Sequence, residues 1–300
     1  MVTSCLSFVS LYGLFLRRNY TAAGLSPFTV DVDEDTTIHF WGPRSGSRSR
    51  EKPSLVLIHG FGPSGIFQWQ QQVRSLSVHF DLYVPDLVFF GGSTTKSSDR
   101  SEIFQAISLG KLFEKLGVKR FCVIGTSYGG MVAYHMASMW PERVEKVVIA
   151  SSGVNMVKKD QQEILERARV ETIEDLMLPK TAAQLRNLIR LAVFKPPPML
   201  PDFFLNDLLH TLFAENREER MELLKGLTIG RDKKPQVSSL EQEALIVWGE
   251  HDQIFPLKKA FELKEILGGK VQLEVLKNTS HVPQVEDPNQ FNAIVKNFLC

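Results

Sequence analysis

The sequence predicts an α/β protein in which a mostly parallel sheet of eight strands is flanked by helices. Short apolar runs of strand length alternate with helical patterns along most of the 300 residues. Most runs are apolar at consecutive positions, which is typical of parallel strands buried on both faces. Residues 154–236 contain helical patterns and no strand pattern. We therefore expect an N-terminal helical segment at 1–27, a core in two parts at 28–153 and 237–300, and an all-helical cap inserted at 154–236.

The composition is that of an ordinary globular protein and gives no reason to expect a nucleic-acid partner. Hydrophobic residues make up 43% of the chain, and 35 Lys and Arg residues nearly balance 34 Asp and Glu residues, so no net field attracts an anionic polymer. Cys5, Cys122 and Cys300 form no CxxC pair, and the seven histidines form no HExxH motif. We therefore expect no metal, no cofactor and no disulfide framework, and we expect a reducing, cytoplasmic location.

The apolar stretch at residues 5–16 is too short to span a bilayer, which needs roughly 18 to 20 apolar residues. Arg17 and Arg18 follow the stretch and no basic residue precedes it, which is the wrong polarity for a secretory signal. The pattern predicts a short helix with four apolar side chains on one face: Phe8, Leu11, Leu14 and Phe15. Packing of this helix on the body is favoured, and peripheral contact with a membrane interface is the alternative.

The core elements follow in a regular order. Two alternating runs separated by the turn-like DEDT predict an antiparallel hairpin, and the later runs predict buried strands. The eight predicted strands are 28–32, 37–41, 54–58, 80–84, 120–124, 146–150, 244–248 and 271–276. Helical patterns occupy 66–76, 103–116, 131–139, 257–267 and 288–298. Right-handed crossovers then place the carboxyl ends of all the parallel strands at one edge of the sheet.

The cap contains four predicted helices, at 161–170, 182–193, 203–213 and 215–227. The proline-rich stretch 195–201 separates the second helix from the third, because no helix continues through consecutive prolines. The cap carries more apolar side chains than small isolated helices can bury: Leu188, Leu191, Phe194, Met199, Phe203, Phe204, Leu208, Leu212 and Phe213. We expect these side chains to face the body and to form the roof of a pocket.

The motif GTSYGG at 125–130 carries the strongest chemical signal in the chain. A run of strand length precedes it and a helical pattern follows it, which is the context of a G-x-S-x-G nucleophile elbow. The turn is expected to strain the backbone of Ser127 and to expose its hydroxyl, while the flanking glycines leave room where strand and helix crowd together. Ser127 is therefore the predicted nucleophile.

Three further strands end in residues that suit hydrolytic chemistry at the same edge. A serine hydroxyl needs a base near neutral pH, and His281 supplies an imidazole. Asp252 is the predicted carboxylate that holds the other ring nitrogen of this imidazole. The glycine-rich turn HGFG at 59–62 leaves backbone amides exposed, so we expect the N–H groups of Phe61 and Tyr128 to form an oxyanion hole.

Other polar residues near these positions are expected to have structural roles. Asp86 is interpreted as a turn-forming residue, and His59 is expected to brace the glycine-rich turn by hydrogen bonds. His39 is interpreted as a surface or packing residue in the second strand. Glu250 and His251 are expected to be exposed loop residues beside Asp252.

Together these motifs resemble the α/β-hydrolase superfamily, and within it the capped serine hydrolases of the esterase and monoacylglycerol-lipase-like kind common in plants. The matching residues are HGFG (59–62), PDL (85–87), GGS (91–93), GTSYGG (125–130), WGEHD (248–252) and SHVPQVEDP (280–288). The resemblance implies an α/β-hydrolase fold with a helical cap, and it implies the same triad and oxyanion residues. Epoxide hydrolases and haloalkane dehalogenases look similar but carry aspartate at the nucleophile position, so Ser127 argues against both.

The leading hypothesis is a cofactor-free serine hydrolase that cleaves small carboxylic esters with an apolar acyl or alcohol group. The same triad would also serve hydrolysis of a lactone, a thioester or a carbon–carbon bond, or acyl transfer to an alcohol. A third hypothesis is a small-molecule receptor that keeps the triad but turns its ligand over slowly. The residues in the motifs leave these alternatives open.

Overall fold

A nine-stranded sheet forms the centre of the computed structural model, which describes residues 7–44, 52–197 and 200–300. The strands are β1 (Leu25–Asp31), β2 (Thr36–Pro43), β3 (Ser54–Ile58), β4 (Asp81–Pro85), β5 (Thr94–Thr95), β6 (Phe121–Thr126), β7 (Val144–Ala150), β8 (Glu243–Gly249) and β9 (Val271–Leu276). Their order across the sheet is β1-β2-β4-β3-β6-β7-β8-β9, and β5 pairs with β2. β2 is antiparallel to β1, β4 and β5, whereas the strands from β4 to β9 in this order are parallel.

The predicted α/β fold with a mostly parallel sheet is confirmed, but the predicted number of eight strands is wrong by one. The additional strand is β5, whose two threonines pair with Thr37 and Thr36 of the hairpin. The hydroxyl groups of Thr36 and Thr95 are 2.8 Å apart and share a hydrogen bond. Two polar residues show neither alternation nor an apolar run, so the sequence pattern could not predict this strand.

The parallel strands bury side chains on both faces of the sheet. Along β3, Leu55 and Leu57 lie in the core on one face, and Val56 and Ile58 lie in the core on the other. All four side chains are fully buried. The alternation follows from the two-residue period of a strand and explains the consecutive apolar residues. Polar side chains that could contact a bound molecule are therefore expected at the ends of these strands.

Thirteen helices of the described residues surround the sheet. In chain order they are α1 (Phe8–Ala22), α2 (Gly65–Gln68), α3 (Gln70–Leu76), α4 (Glu102–Lys115), α5 (Tyr128–Met139), α6 (Lys158–Ala168), α7 (Ile173–Met177), α8 (Ala182–Ala192), α9 (Asp202–Leu208), α10 (Arg217–Gly226), α11 (Lys258–Leu267), α12 (Pro283–Glu286) and α13 (Pro288–Leu299). A π-helical turn, Leu209–Phe213, follows α9. The predicted helix 66–76 is divided into α2 and α3 at Trp69, and the short helices α7 and α12 were not predicted.

The N-terminal helix packs on the body through a different face from the one predicted. Val9, Leu16 and Tyr20 are buried, and the Tyr20 hydroxyl donates to the carbonyl of Gly65 at 3.2 Å. The four side chains of the predicted stripe remain exposed: Phe8, Leu11, Leu14 and Phe15. The helix extends to Ala22, while Cys5, where the predicted stretch began, lies outside the described residues. None of the helices described here is long and apolar enough to cross a membrane.

Between β7 and β8 the described residues form helices α6 to α10 and the π-helical turn, without a strand. This helical segment has a small core of its own, formed by Leu185, Leu205, Leu209 and Phe213. Two of the side chains predicted to roof a pocket, Leu208 and Leu212, pack against that core, whereas Leu188 packs against both that core and the main core of the protein. Short helices bury their apolar stripes against one another as well as against the body, which the sequence pattern could not apportion. Met199 lies outside the described residues.

Candidate active site

Ser127 lies in the turn between β6 and α5, at the carboxyl end of a central strand. Its backbone has φ 53° and ψ −121°, a strained conformation for a residue with a side chain. A Cβ atom at Gly125 would lie 2.0 Å from the carbonyl oxygen of Gly129, and one at Gly129 would lie 2.4 Å from that of His59. Both positions therefore require glycine, because strand, helix and neighbouring turn meet there without space for a side chain.

His281 lies between Ser127 and Asp252 and forms a hydrogen bond with each. Its Nε2 atom is 2.9 Å from Oγ of Ser127, and its Nδ1 atom is 2.9 Å from Oδ2 of Asp252. Because a carboxylate only accepts hydrogen bonds, Nδ1 carries the ring proton and Nε2 faces the hydroxyl as an acceptor. The structure thus brings together three predicted site residues that follow β6, β8 and β9.

Neighbouring backbone groups and one aromatic ring fix the orientation of Asp252 and His281. Oδ1 of Asp252 accepts the N–H groups of Ile254 and Phe255, each at 2.9 Å. The ring of Phe255 lies edge-on to that of His281, with centroids 5.4 Å apart. The backbone N–H of His281 donates to the carbonyl of Ala192, at the end of α8, at 3.1 Å. Both titratable side chains are buried, so these contacts are shielded from solvent.

The predicted oxyanion-hole residues lie next to Ser127. A Cβ at Gly60 would be 3.0 Å from Cβ of Ser127, so the turn after β3 lies directly against the elbow. The Gly60 N–H donates to Oε1 of Gln68 at 2.8 Å, and the rings of Phe61 and Tyr128 meet edge to face at 5.8 Å. Tyr128 is the first residue of α5, where a backbone N–H has no acceptor within the helix.

His59 and Asp86 support this turn rather than the reacting groups. Nε2 of His59 accepts the Leu87 N–H at 2.9 Å, and its Nδ1 donates to the Gly60 carbonyl at 2.8 Å. Burial lowers the pKa of His59 below its ordinary value, which keeps the ring neutral. Asp86 accepts the N–H of Gly65 at 3.1 Å and bonds to Nδ1 of His39 at 2.8 Å. His39 is thus paired with Asp86, a contact that the sequence did not indicate.

Sequence reasoning assigned no role to Glu286, a carboxylate that ties the histidine loop to the helical segment. Its Oε1 accepts the Ser280 N–H at 2.6 Å, and its Oε2 accepts the Phe194 N–H at 2.7 Å. Burial is the main reason that the pKa of Glu286 is raised, although the two N–H groups and His281 oppose the shift. Nothing in the sequence distinguishes this carboxylate from exposed ones, because its burial depends on how distant segments pack.

The remaining titratable residues near the site lie at the surface or form no metal site. Glu250 and His251 are exposed, and the ring of His251 stacks on that of Phe194 with centroids 4.3 Å apart. Within 7–44, 52–197 and 200–300, no group of three or more His, Cys, Asp or Glu residues could hold a metal ion.

A cavity of about 400 Å³ opens onto Ser127. The core contributes an almost wholly apolar set of side chains to its lining: Phe61, Tyr128, Met131, Ile254 and Phe255. The helical segment adds further apolar side chains: Met156, Ile164, Leu165, Ile173, Met177, Leu224, Leu227 and Ile229. Two acidic and two basic residues also line it, namely Glu171, Glu174, Lys225 and Arg231. The volume falls within the roughly 300–1,000 Å³ typical of small-molecule sites.

A family model described as the alpha/beta hydrolase fold matches residues 53–288. Among curated proteins, the pimeloyl-[acyl-carrier protein] methyl ester esterase of Vibrio campbellii is 26% identical over 250 residues, covering 83% of this chain and 95% of its own. A 2-hydroxy-6-oxononadienedioate/2-hydroxy-6-oxononatrienedioate hydrolase of Pseudomonas putida is 25% identical over 276 residues, covering 90% of this chain and 94% of its own.

Among solved structures, a putative lipase from Acinetobacter baumannii superposes with a TM-score of 0.79 at 22% identity. The match covers 96% of this chain and 95% of the lipase chain. At this identity the likeness supports the fold alone.

Proposed function

The chain belongs to the alpha/beta hydrolase fold family, and we propose that it is a serine hydrolase that cleaves carboxylic esters with an apolar acyl or alcohol group. The observation that carries the proposal is the hydrogen-bonded series from Asp252 through His281 to Ser127, whose hydroxyl opens into an apolar cavity. The likeness to an esterase supports the same chemistry. The two curated relatives described above are an esterase and a hydrolase, which fits the family.

In the first half of the reaction, Oγ of Ser127 attacks the ester carbonyl while Nε2 of His281 takes the hydroxyl proton. Asp252 holds Nδ1–H and stabilises the imidazolium that forms. The backbone N–H groups of Phe61 and Tyr128 stabilise the oxyanion, each donor contributing about 3 kcal/mol in comparable enzymes. The imidazolium then returns its proton to the alcohol as the carbon–oxygen bond breaks, which leaves an acyl enzyme.

In the second half, water takes the place of the alcohol. Nε2 of His281 removes a proton from the water as its oxygen attacks the acyl carbonyl, and the same oxyanion donors stabilise the intermediate. The proton passes to Oγ of Ser127 as the acid leaves. The two halves use the same groups because the attacking and leaving oxygens occupy the same position relative to His281.

The apolar lining and the size of the cavity favour a small, uncharged substrate. The apolar side chains around Ser127 would desolvate a carboxylate or phosphate without a partner, which is costly. The basic residues in the lining, Lys225 and Arg231, are accompanied by Glu171 and Glu174, so the lining has no net charge to attract an anion. A volume of about 400 Å³ lies low in the range for small-molecule sites, which favours short and medium chains over long ones.

A panel of p-nitrophenyl esters of increasing acyl length, assayed with the wild type and with Ser127→Ala, tests the proposal. We expect hydrolysis of the shorter esters and a loss of at least about 10⁴-fold in kcat/KM in the variant. A fluorophosphonate probe should label the wild type and not the variant. Hydrolysis that survives the substitution at the wild-type rate would show that Ser127 is not the nucleophile.

The Pseudomonas putida relative favours a second candidate, in which the same triad hydrolyses a carbon–carbon bond beside a ketone. The substrate in its name is a dicarboxylate, which the uncharged core lining does not favour. Assaying a ring-cleavage dienoate beside the ester panel separates the two reactions. Product analysis with added alcohols separates hydrolysis from acyl transfer. Stoichiometric probe labelling without turnover of any substrate would instead favour a slow-turnover receptor.

A further inference from the structure

Exposed apolar side chains are concentrated on the N-terminal helix. Of the ten large hydrophobic side chains that are exposed in the described part of the chain, five belong to the 15 residues of α1. They are Phe8, Leu11, Tyr12, Leu14 and Phe15. Exposed side chains of this kind normally occur singly, and a group of them marks an interaction site.

The helix has two apolar faces, and only one is used for packing. Val9, Leu16 and Tyr20, at spacings of seven and four, face the body and are buried. A second series, Phe8, Leu11 and Phe15, has spacings of three and four and faces solvent. Each of these three side chains is about half exposed, between 49% and 58%. The packing of the helix therefore accounts for the first face and leaves the second uncovered.

A second element extends the uncovered face. Phe203 of α9 is 65% exposed, and its ring centroid lies 6.4 Å from that of Phe8. The two helices are held together because the Val9 N–H donates to Oδ2 of Asp207 at 2.9 Å. We call the surface formed by Phe8, Leu11, Leu14, Phe15 and Phe203 the α1 face.

The charge at the other end of the α1 face is positive. Arg17 and Arg18 are exposed at the C-terminal half of α1, and the helix contains no Asp or Glu. Arg18 follows Phe15 by three residues and Leu11 by seven, which places it on the same side of the helix. Arg44 lies beside them and donates to the Thr21 carbonyl at 2.8 Å. An apolar stripe that ends in arginines is suited to the boundary between lipid acyl chains and anionic headgroups.

We propose that the α1 face docks the protein on the surface of an anionic lipid membrane, with the aromatic side chains in the interface and Arg17 and Arg18 at the headgroups. The inference goes beyond the proposed hydrolase activity and does not depend on it. The proposed association is peripheral, because a helix with an exposed apolar stripe and terminal arginines lies in the plane of the membrane interface.

The charges favour a membrane over a second copy of the chain. The acidic residues that a second copy would offer near the apolar end are Asp202 and Asp207 of α9. Asp202 already forms an ion pair with Arg186, and Asp207 accepts the Val9 N–H. Arginines of one copy would therefore meet acidic groups that are engaged, whereas an anionic bilayer supplies many phosphates and carboxylates.

Vesicle co-sedimentation of the full chain carrying Ser127→Ala, which prevents any lipid hydrolysis, tests the proposal. We compare vesicles of phosphatidylcholine alone with vesicles made of equal parts of phosphatidylcholine and phosphatidylserine. We expect binding mainly to the anionic vesicles and a decrease as sodium chloride is raised. The substitutions Phe8→Ser and Phe15→Ser together should reduce binding by about tenfold or more, because they remove the inserted apolar surface. Arg17→Gln with Arg18→Gln should reduce it by about fivefold or more on anionic vesicles only.

Matched substitutions elsewhere serve as controls. Phe261→Ser removes a phenylalanine that is 53% exposed on α11, and it should leave binding within about twofold of wild type. Lys233→Gln with Lys234→Gln removes the same charge from another exposed site. Equal losses in control and test variants, or no binding to either vesicle, would overturn the proposal. Concentration-dependent dimerisation that Phe8→Ser with Phe15→Ser abolishes, without vesicle binding, would assign the α1 face to a second copy instead.

Discussion

The backbone of Ser127 is strained in the turn that presents its hydroxyl group. The positive φ of this residue is held in place because β6, α5 and the turn after β3 leave no space for side chains at Gly125 and Gly129. The carbonyl of Ser127 also accepts the hydroxyl of Ser152 at 2.6 Å, which adds a further restraint on the turn. The hydroxyl is thus fixed by its surroundings before a substrate binds, as an effective nucleophile requires.

Asp252 is expected to act by orienting His281. In Asp252→Asn the side-chain amide can donate to Nδ1, which favours the wrong tautomer and leaves Nε2 protonated and unable to accept the serine proton. We expect kcat for a p-nitrophenyl ester to fall by about 10⁴-fold with KM little changed. Steady-state kinetics measure both values, and a thermal melt checks that the variant is folded.

Glu250→Gln is the matched control, because Glu250 lies two residues away and is exposed. We expect its kcat to stay within about twofold of the wild-type value. If Glu250→Gln lost activity while Asp252→Asn kept it, the carboxylate of the proposed triad would have been assigned to the wrong residue.

That Ser127, Asp252 and His281 lie within hydrogen-bonding distance of one another could be predicted, because each follows a strand whose apolar run is clear in the sequence. The residues that position them could not be predicted. Gln68, Phe255 and Glu286 act through hydrogen bonds or ring contacts that form only when their segments pack together. Their residue types are common in loops, so no local pattern marks them, and only the packing shows what they contact.

At the level of elements, the start of α4 joins the core to the helical segment. Glu102 is fully buried in the first turn of α4 and accepts the N–H groups of Thr228 and Ile229 at 2.9 and 3.1 Å. His135 of α5 lies 3.5 Å from the same carboxylate. Burial alone would raise the pKa of Glu102, but the nearby His135 ring and the hydrogen bonds from Thr228 lower it overall.

This lowered pKa predicts a loss of stability in acid. A carboxyl group whose folded pKa lies below its unfolded value stabilises the fold fully above the unfolded value, and that contribution is lost as the pH falls through the folded pKa. We expect Glu102→Gln to lower the free energy of unfolding by about 2 kcal/mol at pH 7, because a neutral amide accepts these N–H groups more weakly. The difference from wild type should shrink below about pH 4.5, where glutamate begins to be protonated.

Thermal melts from pH 7 downward measure the effect. Glu114→Gln, an exposed position on the same helix, is the control and should track the wild type throughout. A difference between Glu102→Gln and wild type that stayed constant with pH would contradict the assignment of the acid-sensitive contribution to this carboxylate.

The long elements were predictable and the short ones were not. The strands β3, β4, β6, β7 and β8 match their predicted positions within about two residues, since burial on both faces imposes an unbroken apolar pattern. The two-residue strand β5 and the short helices α7 and α12, of five and four residues, show no apolar run or helical period. The packing partners of amphipathic helices could not be predicted either, because an apolar stripe does not show which segment covers it, and the predicted stripe of α1 is exposed.

For the whole molecule, the contacts between the helical segment and the core shape the cavity beside Ser127. Arg220 of α10 is buried between them, and its guanidinium donates to the carbonyls of Phe89 at 3.0 Å and Leu212 at 2.9 Å. It also lies 4.5 Å from the centroid of the Phe90 ring, which in turn packs edge-on against Phe61. Burial lowers the pKa of Arg220 to about 10, although Glu215 and Asp86 oppose the shift. A charged group of the helical segment thus supports the turn beside Ser127.

Replacing Arg220 should therefore affect both stability and activity. We expect Arg220→Ala to lower the free energy of unfolding by about 2–3 kcal/mol, because two carbonyls lose their donor and the aliphatic stem leaves a gap. Arg220→Lys should restore little of this, because an ammonium lacks the planar group that stacks on Phe90 and donates in two directions. Chemical denaturation measures the free energy of unfolding, and ester kinetics measure the activity.

We expect kcat/KM to fall in Arg220→Ala below the temperature at which the variant unfolds, because Phe90 no longer holds Phe61 in place. Arg190→Ala provides the control, since Arg190 is an exposed residue of the same helical segment that bonds only to Asn187 among the contacts described. Its stability should change by less than about 0.5 kcal/mol. Unchanged kinetics in folded Arg220→Ala would mean that the turn beside Ser127 keeps its geometry without support from the helical segment.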